Sequence, residues 1–235
     1  MSNLVKKAVV LLSGGIDSAV LLYSMVNKFE CYPLTISYGQ RHEKEVLAAR
    51  VVCEARDRNL LLRWSWLDLR VLKELLPSAL TGKYIIPHGH YTDESMKSTV
   101  VPNRNMILLA VAAGYAQGLG AGTVAYAAHS GDHAIYPDCR PEFITSAMET
   151  MRLGTGDAVI LYAPFVHLTK AEIVKLGQRF TVPFAHTWSC YEGGPVHCGV
   201  CGTCTERREA FKLAGVPDPT VYIAEHLPPE VVKHV

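Results

Sequence analysis

The run Leu11-Leu12-Ser13-Gly14-Gly15-Ile16-Asp17-Ser18 joins a short apolar stretch at 7–12 to a helical pattern at 18–28. Its two glycines allow close backbone approach and positive φ. The N–H groups that open the helix, together with its dipole, favour an anion, and Ser13 and Ser18 add hydroxyl donors. A strand–turn–helix carrying Ser-Gly-Gly-x-Asp-Ser therefore reads as a phosphate loop. It lacks the Gly-Lys-Ser/Thr ending of a Walker A loop and the G-x-G-x-x-G spacing of a dinucleotide site. Asp17 is an odd neighbour for a phosphate unless it binds a cation or caps the helix.

On the C-terminal side the chain alternates β-branched apolar runs with longer helical patterns. That predicts an α/β fold with a doubly wound, mostly parallel sheet. Strands are expected at 7–12, 32–38, 60–67 and 123–128, and helices at 43–58, 103–118 and 141–152. In the 43–58 helix, Val46, Leu47, Ala49, Val51 and Val52 are expected to face the sheet. Thr169-Lys170-Ala-Glu172 has the form of a capping box at another helix start. Residues 77–99 are polar with weak periodicity, which suits a functional segment. It is expected to close over a bound substrate as a lid.

With 235 residues, 49% of them hydrophobic, the chain can bury one good core. Residues 1–185 are expected to form that core, with 186–235 packed on it in the same domain. A net charge of +1 leaves no broad basic field, which weighs against a stable nucleic-acid partner. No apolar stretch reaches membrane-spanning length, and the N-terminus lacks a cleavage pattern, so a cytoplasmic protein is expected. Seven cysteines exclude a complete disulfide framework. Cys31 and Cys53 read as buried small hydrophobes. Cys190, Cys198, Cys201 and Cys204, spaced C-x7-C-x2-C-x2-C, can fold four thiolates around one ion. Structural zinc is the expectation and an iron–sulfur cluster the alternative. Arg207 and Arg208, read as opening the next helix, would offset the charge of such a site.

The loop resembles the pyrophosphate loop of the N-type ATP pyrophosphatases. Leu168-Thr-Lys170-Ala-Glu-Ile173 is similar to the segment where that group places a phosphate-contacting lysine; an exposed first-turn lysine is the alternative reading. Three further segments are Tyr38-Gly-Gln-Arg41-His42, Val101-Pro-Asn-Arg104-Asn105 and Tyr136-Pro-Asp138-Cys139-Arg140. With the cysteine run they closely resemble the 7-cyano-7-deazaguanine synthase family, over residues 11–211.

The resemblance implies a fold like the adenine nucleotide alpha hydrolases with a C-terminal zinc-binding region. It implies an ATP-dependent carbon–nitrogen ligase that turns 7-carboxy-7-deazaguanine and ammonia into the nitrile precursor of queuosine and archaeosine. ATP, Mg2+, structural zinc and a homodimer come with it. Leu12, Ser13, Gly14, Gly15, Ile16, Asp17, Ser18, Tyr38 and Arg41 would bind the nucleotide. Asp17, Arg104, Lys170 and Asp132 would serve the chemistry, and Asp132, Asp138 and Arg140 would contact the deazaguanine acid. A turn cap at Asp138 and a surface salt bridge at Arg104 are the alternatives. Cys139 reads as a packed thiol, since adenylation already activates the substrate, with a nucleophile as the alternative. His129 and His133 read as proton shuttles or as structural donors.

Two departures stand out. Asn103 occupies a position where many members have Gly, a turn Asn tolerates because it accepts left-handed backbone. Many members carry Glu-Thr-Asp-Phe-Ser-Gly before Tyr-Pro-Asp-Cys-Arg, where this chain has His129-Ser-Gly-Asp132-His133-Ala-Ile135. The segment reads as a substrate wall, and its change leaves open a product that stops at the amide or joins the acid to another amine. A tRNA-thiolating relative would want a basic face and an extra domain. A zinc-ribbon module that merely binds ATP would not want so many polar residues at strand ends.

Overall fold

The computed structural model describes residues 6–82, 84–89 and 96–223. β1 (Lys7–Leu11), β2 (Glu30–Ser37), β3 (Ser65–Asp68), β4 (Thr123–Ala125) and β5 (Ile160–Tyr162) form one sheet in the order β3-β2-β1-β4-β5. Every pairing is parallel, with Val9 opposite Tyr32 of β2 and Val124 of β4. The chain winds outward from β1 to β3, then returns to β4 and winds outward the other way. This is the doubly wound arrangement, with its switch point between β1 and β4.

The helices are α1 (Ile16–Met25), α2 (Lys44–Arg56), α3 (Arg58–Arg63), α4 (Arg104–Leu119), α5 (Pro141–Gly154), α6 (Lys170–Arg179) and α7 (Gly202–Ala214). A parallel sheet must be covered on both faces, and β1 shows how. Ala8 and Val10 pack with α1, α2, α6 and α7, whereas Val9 and Leu11 pack with α4 and α5. None of the four is more than 9% exposed. The small residues Ala112, Ala113 and Ala116 bring α4 close to the sheet.

Several local expectations change. Residues 60–67 are not one strand. Asp57, in extended backbone, accepts from Leu60 N at 2.8 Å and caps the short α3, so only Ser65–Asp68 joins the sheet. Leu47 does not face the sheet: α2 buries Ala48, Ala49, Val52 and Cys53, a stripe that leaves Leu47 64% exposed. β5 has no counterpart in the sequence reading, because it is three residues long and only Leu161 among them is buried.

Two other expectations hold. Asn103 adopts φ 51° and ψ 27° at the start of α4, and Thr169 and Glu172 form the reciprocal capping box of α6. Of the 77–99 segment, residues 83 and 90–95 lie outside the described residues, while Leu80, Ile86 and Met96 beside them are buried. Among the described residues no helix is long and apolar enough to cross a membrane.

Candidate active site

A cleft of about 220 Å³ opens at the carboxyl ends of β1, β2 and β4, where doubly wound sheets hold their ligands. The Ser13–Ser18 loop forms one wall. Gly14 has φ 99°, and a Cβ there would sit 2.1 Å from the Glu45 carbonyl oxygen, so the loop can lie against α2 only as glycine. Gly15 precedes α1, and no side chain caps that helix among the described residues. Its first turn therefore presents the positive end of the helix dipole to the cleft. Ser13 Oγ lies 3.1 Å from Ser18 Oγ and accepts from Gly15 N at 3.2 Å, which fixes both hydroxyls at the turn.

Charge is concentrated behind the loop. Lys170 Nζ lies 2.6 Å from Glu206 Oε2 and 3.5 Å from Asp17 Oδ2. Burial works to lower the lysine's pKa, but Asp17, Glu206 and Asp132 outweigh it and hold the ammonium above its usual range. Burial likewise works to raise the pKa of Asp17, and Lys170 and His129 bring it below the usual carboxylate range. His129 Nδ1 accepts from Gly131 N at 3.1 Å. In the neutral ring this leaves the proton on Nε2, which lies 3.4 Å from Asp132 Oδ2 and 3.7 Å from Asp17 Oδ2. Asp17 Oδ1 is buried without a hydrogen-bond partner among the described residues.

A second cation stands on the opposite wall. Arg104, the first residue of α4, donates to Tyr38 Oη at 3.1 Å and to Asn105 Oδ1 at 3.2 Å. Its guanidinium lies 5.5 Å from the Tyr38 ring centroid. No carboxylate pairs with it among the described residues, in contrast to the salt-bridge alternative.

Of the sequence candidates, Leu12, Ser13, Gly15, Ile16, Asp17, Ser18, Tyr38, Arg104, Asp132 and Lys170 line the cleft. Gly14, Arg41, Asp138 and Arg140 do not. Asp138 is buried, and its Oδ2 accepts from Asn105 N at 2.9 Å, so it caps the start of α4 from a distant loop. Arg140 donates to the His133 carbonyl at 2.8 Å. Arg41 donates to the Tyr84 carbonyl at 2.8 Å and pairs with Glu192 at 3.4 Å. Cys139 reaches the cleft, but burial pushes its thiol up to about 12, so it stays protonated at neutral pH.

Tyr126 and Glu45, which sequence reasoning did not single out, also line the cleft. Tyr126 follows β4 directly, and the rule that strand ends carry ligands points to it. Glu206 had no such signal, since only tertiary packing brings α7 to Lys170.

The four-cysteine cluster lies beside the cleft. All four sulfurs are buried, unlinked by disulfides, and lie within 4.8 Å of one another. The Sγ atoms of Cys198 and Cys204 are 3.9 Å apart, against about 3.8 Å for the edge of a tetrahedron with metal–sulfur bonds of about 2.3 Å. Backbone N–H groups of Cys198, Val200 and Cys201 donate to Sγ atoms at 3.3–3.4 Å, which suits thiolate rather than thiol. These residues fit a metal ion. α7 starts at Gly202, five residues earlier than read, and places Arg207 in the interior. There its guanidinium bonds Thr187, Ser189 and the Phe184 carbonyl at 2.9–3.1 Å, tying the segment before Cys190 to α7.

The family model of queuosine biosynthesis protein QueC matches residues 7–215. A 7-cyano-7-deazaguanine synthase of Methanoregula boonei is 47% identical over 218 residues, covering 92% of this chain and 99% of that protein. One from Rhizobium meliloti is 51% identical over 220 residues, 92% of each. Among solved structures, an NH3-dependent NAD synthetase from Campylobacter jejuni gives a TM-score of 0.47 at 15% identity, over 99% of this chain and 83% of that one. With a match that runs from β1 to the end of α7, the chain belongs to the queuosine biosynthesis protein QueC family.

Proposed function

We propose that the protein is an ATP-dependent carbon–nitrogen ligase that converts 7-carboxy-7-deazaguanine and ammonia to 7-cyano-7-deazaguanine. One observation carries the reading: a glycine-built phosphate loop at a helix N-terminus shares a cleft with two cations, Lys170 and Arg104. The names of the relatives supply the product, 7-cyano-7-deazaguanine, and the acid and ammonia are the substrates proposed for it.

A carboxylate is a poor electrophile, and transfer of AMP to its oxygen makes that oxygen a good leaving group. The loop N–H groups, Ser13 and Ser18 hold the β and γ phosphates, and Lys170 neutralises charge as pyrophosphate departs. Asp17 would hold Mg2+ through its unpartnered oxygen, and the ion would add charge neutralisation on the phosphates. Arg104, a planar fork without a carboxylate partner among the described residues, suits the acid's carboxylate and then the adenylate. Asp132 accepts from the N–H edge of the base. Ammonia attacks the acyl-adenylate, AMP leaves and the amide forms. A second adenylation on the amide oxygen, followed by loss of AMP and a proton, gives the nitrile. Zinc is the proposed ion of the cysteine centre, where it would brace the fold. The family resemblance also supports a cytoplasmic homodimer.

The test is AMP release from ATP, followed with and without the deazaguanine acid. Acid-dependent AMP is expected, and its absence defeats the assignment.

A further inference from the structure

Glu206 has no part in the chemistry above, yet it makes the shortest ion pair at the site. It stands on α7, two residues after Cys204, and the cysteine cluster fixes where that helix begins. Its Oε2 lies 2.6 Å from Lys170 Nζ. Its Oε1 reaches to within 3.3 Å of where a Cβ on Gly131 would lie, beneath the turn that holds His129 and Asp132. Lys170 lines the cleft and Glu206 does not. The ammonium thus has the phosphate loop on one side and a fixed carboxylate on the other.

We propose that Glu206 is the resting counter-ion of Lys170, a positioning residue that sets how tightly the site holds pyrophosphate. The inference rests on reading the cleft as a pyrophosphate-releasing site. With the cleft empty, Glu206 at 2.6 Å and Asp17 at 3.5 Å share the ammonium and hold it beside the loop. When pyrophosphate is present, the anion competes with Glu206 for the same ammonium, and its departure lets the carboxylate recapture the lysine. A counter-ion that must be displaced weakens anion binding, and that weakening speeds product release.

This role and a merely structural one predict changes of opposite sign. If Glu206 only braced Lys170, its removal would leave the lysine misplaced and pyrophosphate would bind more weakly. As a competing counter-ion, its removal makes pyrophosphate bind more tightly.

The experiment is calorimetric titration of inorganic pyrophosphate, with Mg2+ present, into the metal-replete full chain, its Glu206→Gln variant and its Glu206→Asp variant. Turnover is measured alongside. Glu206→Gln is expected to tighten pyrophosphate roughly tenfold, a size typical of one partly buried charge pair, and to lower kcat and KM for ATP together. Glu206→Asp, which keeps the charge, is expected to stay near the wild type in both measurements. Unchanged or weaker pyrophosphate binding by a Glu206→Gln variant that keeps its metal overturns the inference. If that variant does not fold, a Glu206→Asp variant with tenfold tighter pyrophosphate binding overturns it as well. Tighter binding by Glu206→Gln in a protein that makes no AMP from the acid upholds the counter-ion role and defeats the substrate assignment.

Discussion

At the scale of single residues, environment decides which of the chemically suggestive side chains are reactive. Cys139 sits in the strongly suggestive Tyr-Pro-Asp-Cys-Arg run, yet burial pushes its thiol up to about 12. The same cause pushes Cys31 and Cys53 to about 12. A thiol whose pKa rises on folding lends stability that is intact below its unfolded value of about 8.5. That stability is lost as pH rises toward the folded value, at up to about 1.4 kcal/mol per pH unit per thiol. The urea midpoint should therefore fall between pH 8 and pH 10, and Cys139→Ala should reduce that fall while keeping most of kcat. Loss of turnover in Cys139→Ala with an unchanged pH dependence would restore the thiol as a nucleophile. The same scale explains what sequence could tell about Gly14: a glycine pair after a strand announces a turn, but its close approach to Glu45 of α2 depends on the fold.

At the scale of elements, the readable features were those written in contiguous residues. The glycine turn of the Ser13–Ser18 loop, the capping box at Thr169 and the left-handed Asn103 are local, and each appears where its residues place it. The features that were not readable depend on partners far along the chain. Asp138 caps α4 across 33 residues, and Glu206 meets Lys170 across 36. Asp138→Ala should cost about 1 kcal/mol of stability, as loss of an N-cap does, seen as a lower urea midpoint with KM for the acid unchanged. A large rise in that KM would instead make Asp138 a substrate contact. The cysteine cluster sets the start of α7, and α7 packs with α1 and α6 in one core layer. Chelation of a metal bound there, or Cys201→Ala, should then lower the melting temperature by several degrees or abolish folding. A metal-free chain that melts at the same temperature would refute the structural role.

At the scale of the whole molecule, the alternation of strand and helix was enough to foretell a doubly wound parallel sheet. The switch point between β1 and β4 then fixed where the cleft had to lie. β5 and α3 are not legible in the sequence because each is short and carries little periodicity, so pairing and capping decide them. The segment His129 to His133 places His129 beside Asp17 of the Ser13–Ser18 loop and Asp132 near Lys170 of α6. Completion of the reaction to the nitrile is the central chemical claim. The direct measurement is mass spectrometry of the product formed from 7-carboxy-7-deazaguanine, ATP and ammonia, with AMP counted in parallel. The expected product is 7-cyano-7-deazaguanine with two AMP for each nitrile formed, since each oxygen is removed after one adenylation. A product that stops at the amide, with one AMP, would contradict it.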